Sequence, residues 1–170
     1  MDFFEAVYKR HSYRGEFEST GVPKEDIVKI LDAGIRAASG MNYQTVNFIA
    51  VMDPEKRRAL HDLLPKKTTA TAPVMIVVVT TEMQSPKGMS FEKEDYAAAV
   101  ENVLLAVTAL GYASVWIDGE THLEGRDRAM GKLLNVPEGW HVRCLLPVGV
   151  PKKQGAQAEK KPFEERVRFE

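Results

Sequence analysis

Four short clusters carry the residue types that could do chemistry. The first is Arg10-His11-Ser12-Tyr13-Arg14. In an extended segment alternate residues share a face, so Arg10, Ser12 and Arg14 would point the same way. Two guanidinium forks and a hydroxyl suit a phosphate and other acceptors of a ligand. The second is Ala37-Ala38-Ser39-Gly40-Met41-Asn42-Tyr43-Gln44. Gly40 lets backbone approach a ligand closely. The amides of Asn42 and Gln44 offer donors and acceptors to the edge of a planar heterocycle. The third, Ser114-Val115-Trp116-Ile117-Asp118-Gly119, reads as the end of a strand. Ligands of open α/β sheets bind at such ends. The fourth, Glu159-Lys160-Lys161-Pro162, sets two lysines where they could meet a phosphate. Each cluster also has a plainer reading: a solvated basic turn, a helix cap and loop, a strand exit over a core Trp116, a solvated charge run. Spacing alone favours those plainer readings, because short motifs match by chance.

Other chemistries lack their residues. There is no Gly-x-x-x-x-Gly-Lys-Ser/Thr, no Gly-x-Gly-x-x-Gly and no Gly-x-Ser-x-Gly in the chain. His11, His61, His122 and His141 are scattered, so no metal centre is expected. Cys144 is the sole cysteine and sits in an apolar run, so a buried, inert thiol is expected. A chain without its own acid–base or nucleophilic apparatus either binds without reacting or borrows its chemistry from a cofactor. The 23 basic and 24 acidic residues nearly cancel, which argues against bulk nucleic-acid binding and a basic membrane surface. No stretch approaches the roughly 18–20 apolar residues of a membrane span. Met1-Asp2-Phe3-Phe4-Glu5 lacks a signal pattern, so a cytoplasmic protein is expected.

The elements that must position these clusters follow from periodicity. The 170 residues predict one domain over 1–170. Asp2 to Lys9 predicts a short helix. Val22-Pro23-Lys24 starts a second, with an apolar stripe from Ile27 to Ala38. Pro54–Leu64, Tyr96–Leu110 and Arg126–Leu134 predict three more, the long one closed by Gly111. Asn47–Met52, Pro73–Thr80, Ala113–Ile117 and His141–Val150 predict strands. The β-branched run from Pro73 suits a strand buried on both faces. Arg166-Val167-Arg168-Phe169 alternates like an edge strand, and such a strand must pair with something. Four or five strands among five helices predict an α/β or α+β layered fold.

Taken in order, the four clusters resemble the FMN-dependent nitroreductase family. Arg10-His11-Ser12-Tyr13-Arg14 is similar to its Arg-x-Ser-x-Arg/Lys motif, and Ala38-Ser39 through Gln44 to its Pro-Ser-x-x-Asn-x-Gln motif. Ala72-Pro73-Val74, Glu101-Asn102 through Gly111, Asn135-Val136-Pro137 with Gly149-Val150-Pro151, and Lys160-Lys161-Pro162 with Glu165-Arg166-Val167 resemble its later landmarks. The chain departs from the pattern at Ala38, at Thr45-Val46, where Pro-Trp is common, and at Lys160, where Arg is usual.

The resemblance implies an α+β nitroreductase-like fold with a central mixed or antiparallel sheet. It implies a homodimer that holds FMN at its interface and exchanges its C-terminal strand. Arg10, His11, Ser12 and Lys160 or Lys161 would hold the phosphate and ribityl chain. Arg14, with Lys67 loosely placed beside it, would lie near the pyrimidine edge. The backbone of Ile117, Asp118 and Gly119 would approach N5. Ser39, Gly40, Met41, Asn42 and Gln44 would come from the other subunit. The implied activity is NADH- or NADPH-driven reduction of nitroaromatics, quinones or related small acceptors by a ping-pong hydride mechanism. Other chemistry of the same superfamily (dehalogenation, flavin fragmentation) and a non-catalytic flavin-binding dimer are the alternatives. Residues 81–95 match nothing in the pattern and are too few for a long lid, which predicts an open pocket.

Overall fold

The computed structural model describes residues 1–170. Its helices are α1 (Phe3–Lys9), α2 (Lys24–Ile35), α3 (Pro54–Leu63), α4 (Lys67–Thr71), α5 (Glu92–Ala109) and α6 (Arg126–Leu133). Its strands are β1 (Val46–Val51), β2 (Val74–Thr81), β3 (Ala113–Ser114) and β4 (Trp140–Gly149). They form one sheet in the order β1-β2-β4-β3, and every ladder is antiparallel.

Strand β2 organises the core because its side chains alternate between two apolar layers. Val74, Ile76 and Val78 pack with Ile27 and Ile30 of α2 and with Val100, Val103, Leu104 and Val107 of α5. Met75, Val77 and Val79 face Leu60 of α3, Leu64, Met130 of α6, and Tyr13 and Phe17. The largely β-branched run Val74–Thr80 is thus buried on both faces, as expected. Cys144 is also fully buried, beside α5, and burial pushes its thiol pKa well up. Local signals start the helices: Asp2 and Glu5 form a reciprocal capping box on α1, and Asp53 caps α3 ahead of Pro54.

Three expectations are corrected. The strand predicted over Ala113–Ile117 pairs continuously only at Ala113–Ser114, because the chain then leaves the sheet and returns for a single bridge between Ile117 and Leu145. The α2 stripe stops at Ile35, not Ala38. The tail forms a single 3-10 turn at Phe163–Glu165, and Arg166–Phe169 pairs with none of the chain's own strands. No helix is long and apolar enough to cross a membrane.

Candidate functional site

The N-terminal motif is an added edge of the sheet. Ser12 bridges Ser114 in parallel, and the Tyr13 N–H donates to the Ser114 carbonyl at 2.8 Å. Tyr13 turns inward onto Phe17, with ring centroids 5.1 Å apart, so Ser12 and Arg14 face outward together. That is the period-two geometry the spacing predicts. The neighbours differ. Arg10 pairs with Glu101 of α5, Nε to Oε1 at 3.0 Å. His11 turns away from Arg14 into a separate cavity of about 560 Å³ shared with Tyr8, Tyr112 and Gln157. There its Nδ1 lies 3.0 Å from the Lys9 carbonyl, and its buried Nε2 has no hydrogen-bond partner. Gln157 fastens this end of the motif, donating from Nε2 to the carbonyls of Val7 (3.0 Å) and Arg10 (2.8 Å).

Arg14 opens onto a cavity of about 470 Å³, lined also by Lys66, Lys67, Thr68 and the run Val115–Glu120. The break after β3 creates this wall. The Ile117–Leu145 bridge re-anchors the chain, with N···O distances of 3.0 and 2.9 Å. A 3-10 turn over Gly119–Gly125 then carries it away. The Asp118 carboxylate is held from the interior side: Oδ2 accepts from Tyr96 Oη (3.1 Å) and Trp116 Nε1 (3.2 Å). Its Oδ1 lies 3.4 Å from His122 Nε2. The backbone N–H groups of Asp118, Gly119 and Glu120 donate to no group of the chain. Burial first, and then the Asp118 charge, pushes the Tyr96 hydroxyl up to about 12, so it remains a protonated donor at neutral pH. Lys66 pairs with Glu120 at 2.6 Å, while Lys67 is exposed. Three cations and three backbone donors thus line one cavity beside an indole. Such a wall suits a planar ligand rich in acceptor atoms.

The second cluster is a strained loop. Gly40–Asn42 makes a 3-10 turn, and Met41, Asn42 and Gln44 have φ of 53°, 55° and 51°. Non-glycine residues in this region cost of order 1–3 kcal/mol each and persist only where surroundings over-determine them. Here the Gln44 N–H donates to Ser39 Oγ at 3.1 Å. The Gly40 N–H donates to Asp95 Oδ1 at 2.7 Å, and Thr45 Oγ1 donates to Asp95 Oδ2 at 2.8 Å. Gly40 lies so close to Phe91 that a Cβ would sit 2.3 Å from its Cγ. Met41, Asn42 and Gln44 remain exposed. Ser39 and Gln44 border a second cavity of about 250 Å³ that shares no lining residue with the first.

The chain by itself therefore gathers Arg14, Ile117, Asp118 and Gly119. It keeps Ser39–Gln44 elsewhere. Lys161 borders a surface depression with Phe163, Arg166 and Val167, and neither Lys160 nor Lys161 lines the Arg14 cavity. Segment 82–91 folds into a turn closed on Ser85 and contributes nothing to that cavity. Sequence reasoning missed Lys66, Glu120, Tyr96 and Asp95. The Lys66-Lys67 pair after Pro65 was a legible signal, whereas Asp95 and Tyr96 carried none.

An antiparallel sheet between helical layers, with a cationic cavity where its shortest strand ends, defines an α+β domain with one candidate ligand site at the sheet's end. The model of the nitroreductase family matches residues 7–70 and 60–150. The chain belongs to the nitroreductase family. It is 34% identical over 154 residues to an Archaeoglobus fulgidus protein assigned as an NADH dehydrogenase/NAD(P)H nitroreductase, covering 87% of this chain and 84% of that one. A crystal structure from Bacteroides thetaiotaomicron with the same assignment superposes with a TM-score of 0.84 at 26% identity, covering 98% and 95% of the two chains. The NADPH:FMN oxidoreductase of Vibrio harveyi, solved with NAD+, shares the fold, with a TM-score of 0.83 at 21% identity over 98% of this chain and 76% of that one.

Proposed function

We propose that this chain is an FMN-dependent oxidoreductase that uses NADH or NADPH to reduce small acceptors such as nitroaromatics or quinones. The observation that carries the reading is the Arg14 cavity: cations and unpaired backbone donors on its wall, with the Asp118 carboxylate tied back by Tyr96 and Trp116 and Glu120 paired with Lys66. That donor set fits a flavin, whose ring edge is lined with acceptor atoms. FMN, when bound, supplies the hydride chemistry that no side chain here provides.

The chain's own residues then bind and orient. Arg14 would hold the ring's pyrimidine edge by offering it a fixed positive charge. Asp118 and Gly119 offer backbone N–H groups toward N5. The carboxylate of Asp118 is tied back by Tyr96 and Trp116, so the backbone it belongs to is rigid. Ser12, with Arg10 and a C-terminal lysine, takes the phosphate side. Arg10 would have to share or leave its pair with Glu101 to do so.

The Ser39–Gln44 loop completes the site from a second copy of the chain. Exposed Phe3, Phe4, Tyr8, Phe163 and Phe169 support a homodimer, since apolar surface on that scale favours association. The unpaired tail Arg166–Phe169 is the segment proposed to cross to the partner. Nicotinamide and acceptor would use one face in turn, giving ping-pong kinetics.

The test is direct. Purified protein, as isolated or after addition of FMN, should show flavin absorbance that NADH or NADPH bleaches anaerobically and that a quinone restores. Protein that takes up no FMN overturns the reading. Flavin that neither nicotinamide reduces leaves a flavin-binding protein of other chemistry.

A further inference from the structure

We propose that Asp95 is a positioning residue for the cofactor: it holds the Ser39–Gln44 loop in the shape with which that loop meets FMN. The proposal rests on the flavin reading above. Its warrant is geometric. Asp95 lies in the first turn of α5, where an acid ordinarily serves its own helix. Here both carboxylate oxygens leave the helix instead. One takes the Gly40 N–H at 2.7 Å and the other the Thr45 hydroxyl at 2.8 Å. The residue is 3% exposed, and Thr45 is 2% exposed. A buried carboxylate with two donors from one loop fixes the distance between the loop's two ends.

The loop needs that constraint. Between Gly40 and Thr45, three of the four residues are non-glycine residues at positive φ. Such a conformation relaxes unless its surroundings dictate it. Phe91, one turn earlier, presses on Gly40 from the same helix start and removes the space into which the loop could relax. Glu92 anchors that helix start to the sheet by accepting from Thr80 and Arg143. The segment that replaces a lid is thus a bracket: it touches the loop and not the Arg14 cavity.

The experiment measures FMN affinity of the full-length protein, by quenching of FMN fluorescence, together with the melting temperature of the FMN-free form. Asp95→Ala should weaken FMN binding about tenfold or more, since both buried bonds that fix the loop's two ends are lost. Asp95→Asn keeps an acceptor for Gly40 and a polar group for Thr45, and should stay within about threefold of the native protein. Thr45→Val removes one of the two bonds and should cost about threefold to tenfold. Folded Asp95→Ala and Thr45→Val proteins that bind FMN as tightly as the native chain overturn the proposal and leave the flavin reading standing. Asp95→Asn as damaging as Asp95→Ala also overturns it, because charge rather than shape would then be what the loop requires. If Asp95→Ala does not fold, Thr45→Val and Asp95→Asn decide by the same criteria. Native protein that binds no FMN overturns the flavin reading, and this proposal with it.

Discussion

The Arg14 cavity and the Ser39–Gln44 loop are built by opposite means. The cavity is assembled from three stretches of chain distant in sequence, Arg14, Lys66–Thr68 and Val115–Glu120, pinned by sheet bridges and an ion pair, and none of its lining residues stands at positive φ. The loop is one continuous hexapeptide, exposed and strained, and held from beneath by a single helix start. The contrast teaches how the proposed ligand site would divide its labour. One half is made rigid by tertiary structure and waits. The other is held in a strained shape that does not reach the cavity of its own chain, as the proposed shared site requires.

The largest effect should come from the rigid half. Arg14→Ala removes a charge-assisted contact worth about 1.5–3 kcal/mol, so FMN affinity should fall roughly tenfold to a hundredfold, as read by equilibrium titration. Unchanged affinity would remove Arg14 from the site. Gly40→Ala attacks the other half. Its Cβ would meet Phe91 at 2.3 Å, and overpacking of this kind costs typically about 1–3 kcal/mol, so we expect about tenfold weaker binding from a displaced loop. Combining the two separates a site within one chain from a shared one. Equal mixing of Arg14→Ala and Gly40→Ala chains should restore native affinity in about a quarter of all sites if each site joins one chain's cavity to its partner's loop. A site confined to one chain restores none.

Smaller effects probe the wall of the cavity. Tyr96 titrates near 12 in the folded protein against an ordinary value of 10.0. The unfolded chain therefore loses this proton first as pH rises. The stabilisation Tyr96 contributes is complete below pH 10 and is lost between pH 10 and about 12. Tyr96→Phe should flatten that part of the stability–pH curve in denaturant titrations. An unaltered curve would mean that another group titrates there. Lys67→Ala, at an exposed position on the rim, should change FMN affinity by no more than about threefold, and mainly at low salt.

The sequence displayed the fold where burial was two-sided or strictly periodic. Val74–Thr81 and the Val100–Val107 stripe announced themselves because nothing but the core accommodates them. It also displayed the motif Arg10–Arg14, because an edge strand imposes a period of two. It hid the start of α5. Glu92, Lys93, Glu94 and Asp95 are four consecutive charges in the stretch that matches nothing in the family pattern, and Phe91 at the cap position offers no capping side chain. The burial of Glu92 and Asp95 depends on partners 12 to 55 residues away: Thr80 and Arg143 for Glu92, Gly40 and Thr45 for Asp95. No local pattern encodes such pairings. The short helix α4 was missed for a similar reason. Its five residues are rich in threonine, a poor helix former, and Thr69 holds the entry turn through the Lys66 N–H and the Leu64 carbonyl.

The bonds from Gln157 to the carbonyls of Val7 and Arg10 have a bearing on the making of the protein. They close contacts 150 and 147 residues apart, and the Ser12–Ser114 bridge is likewise long-range. Contacts of that span form slowly, because loop-closure entropy is lost before the contact returns anything. The basic motif therefore gains its alternation only once Ser114 and Gln157 have folded against it. Without that strand edge and glutamine clamp, Arg10–Arg14 is a basic segment with no fixed face, so its alternation belongs to the finished fold rather than to the segment itself.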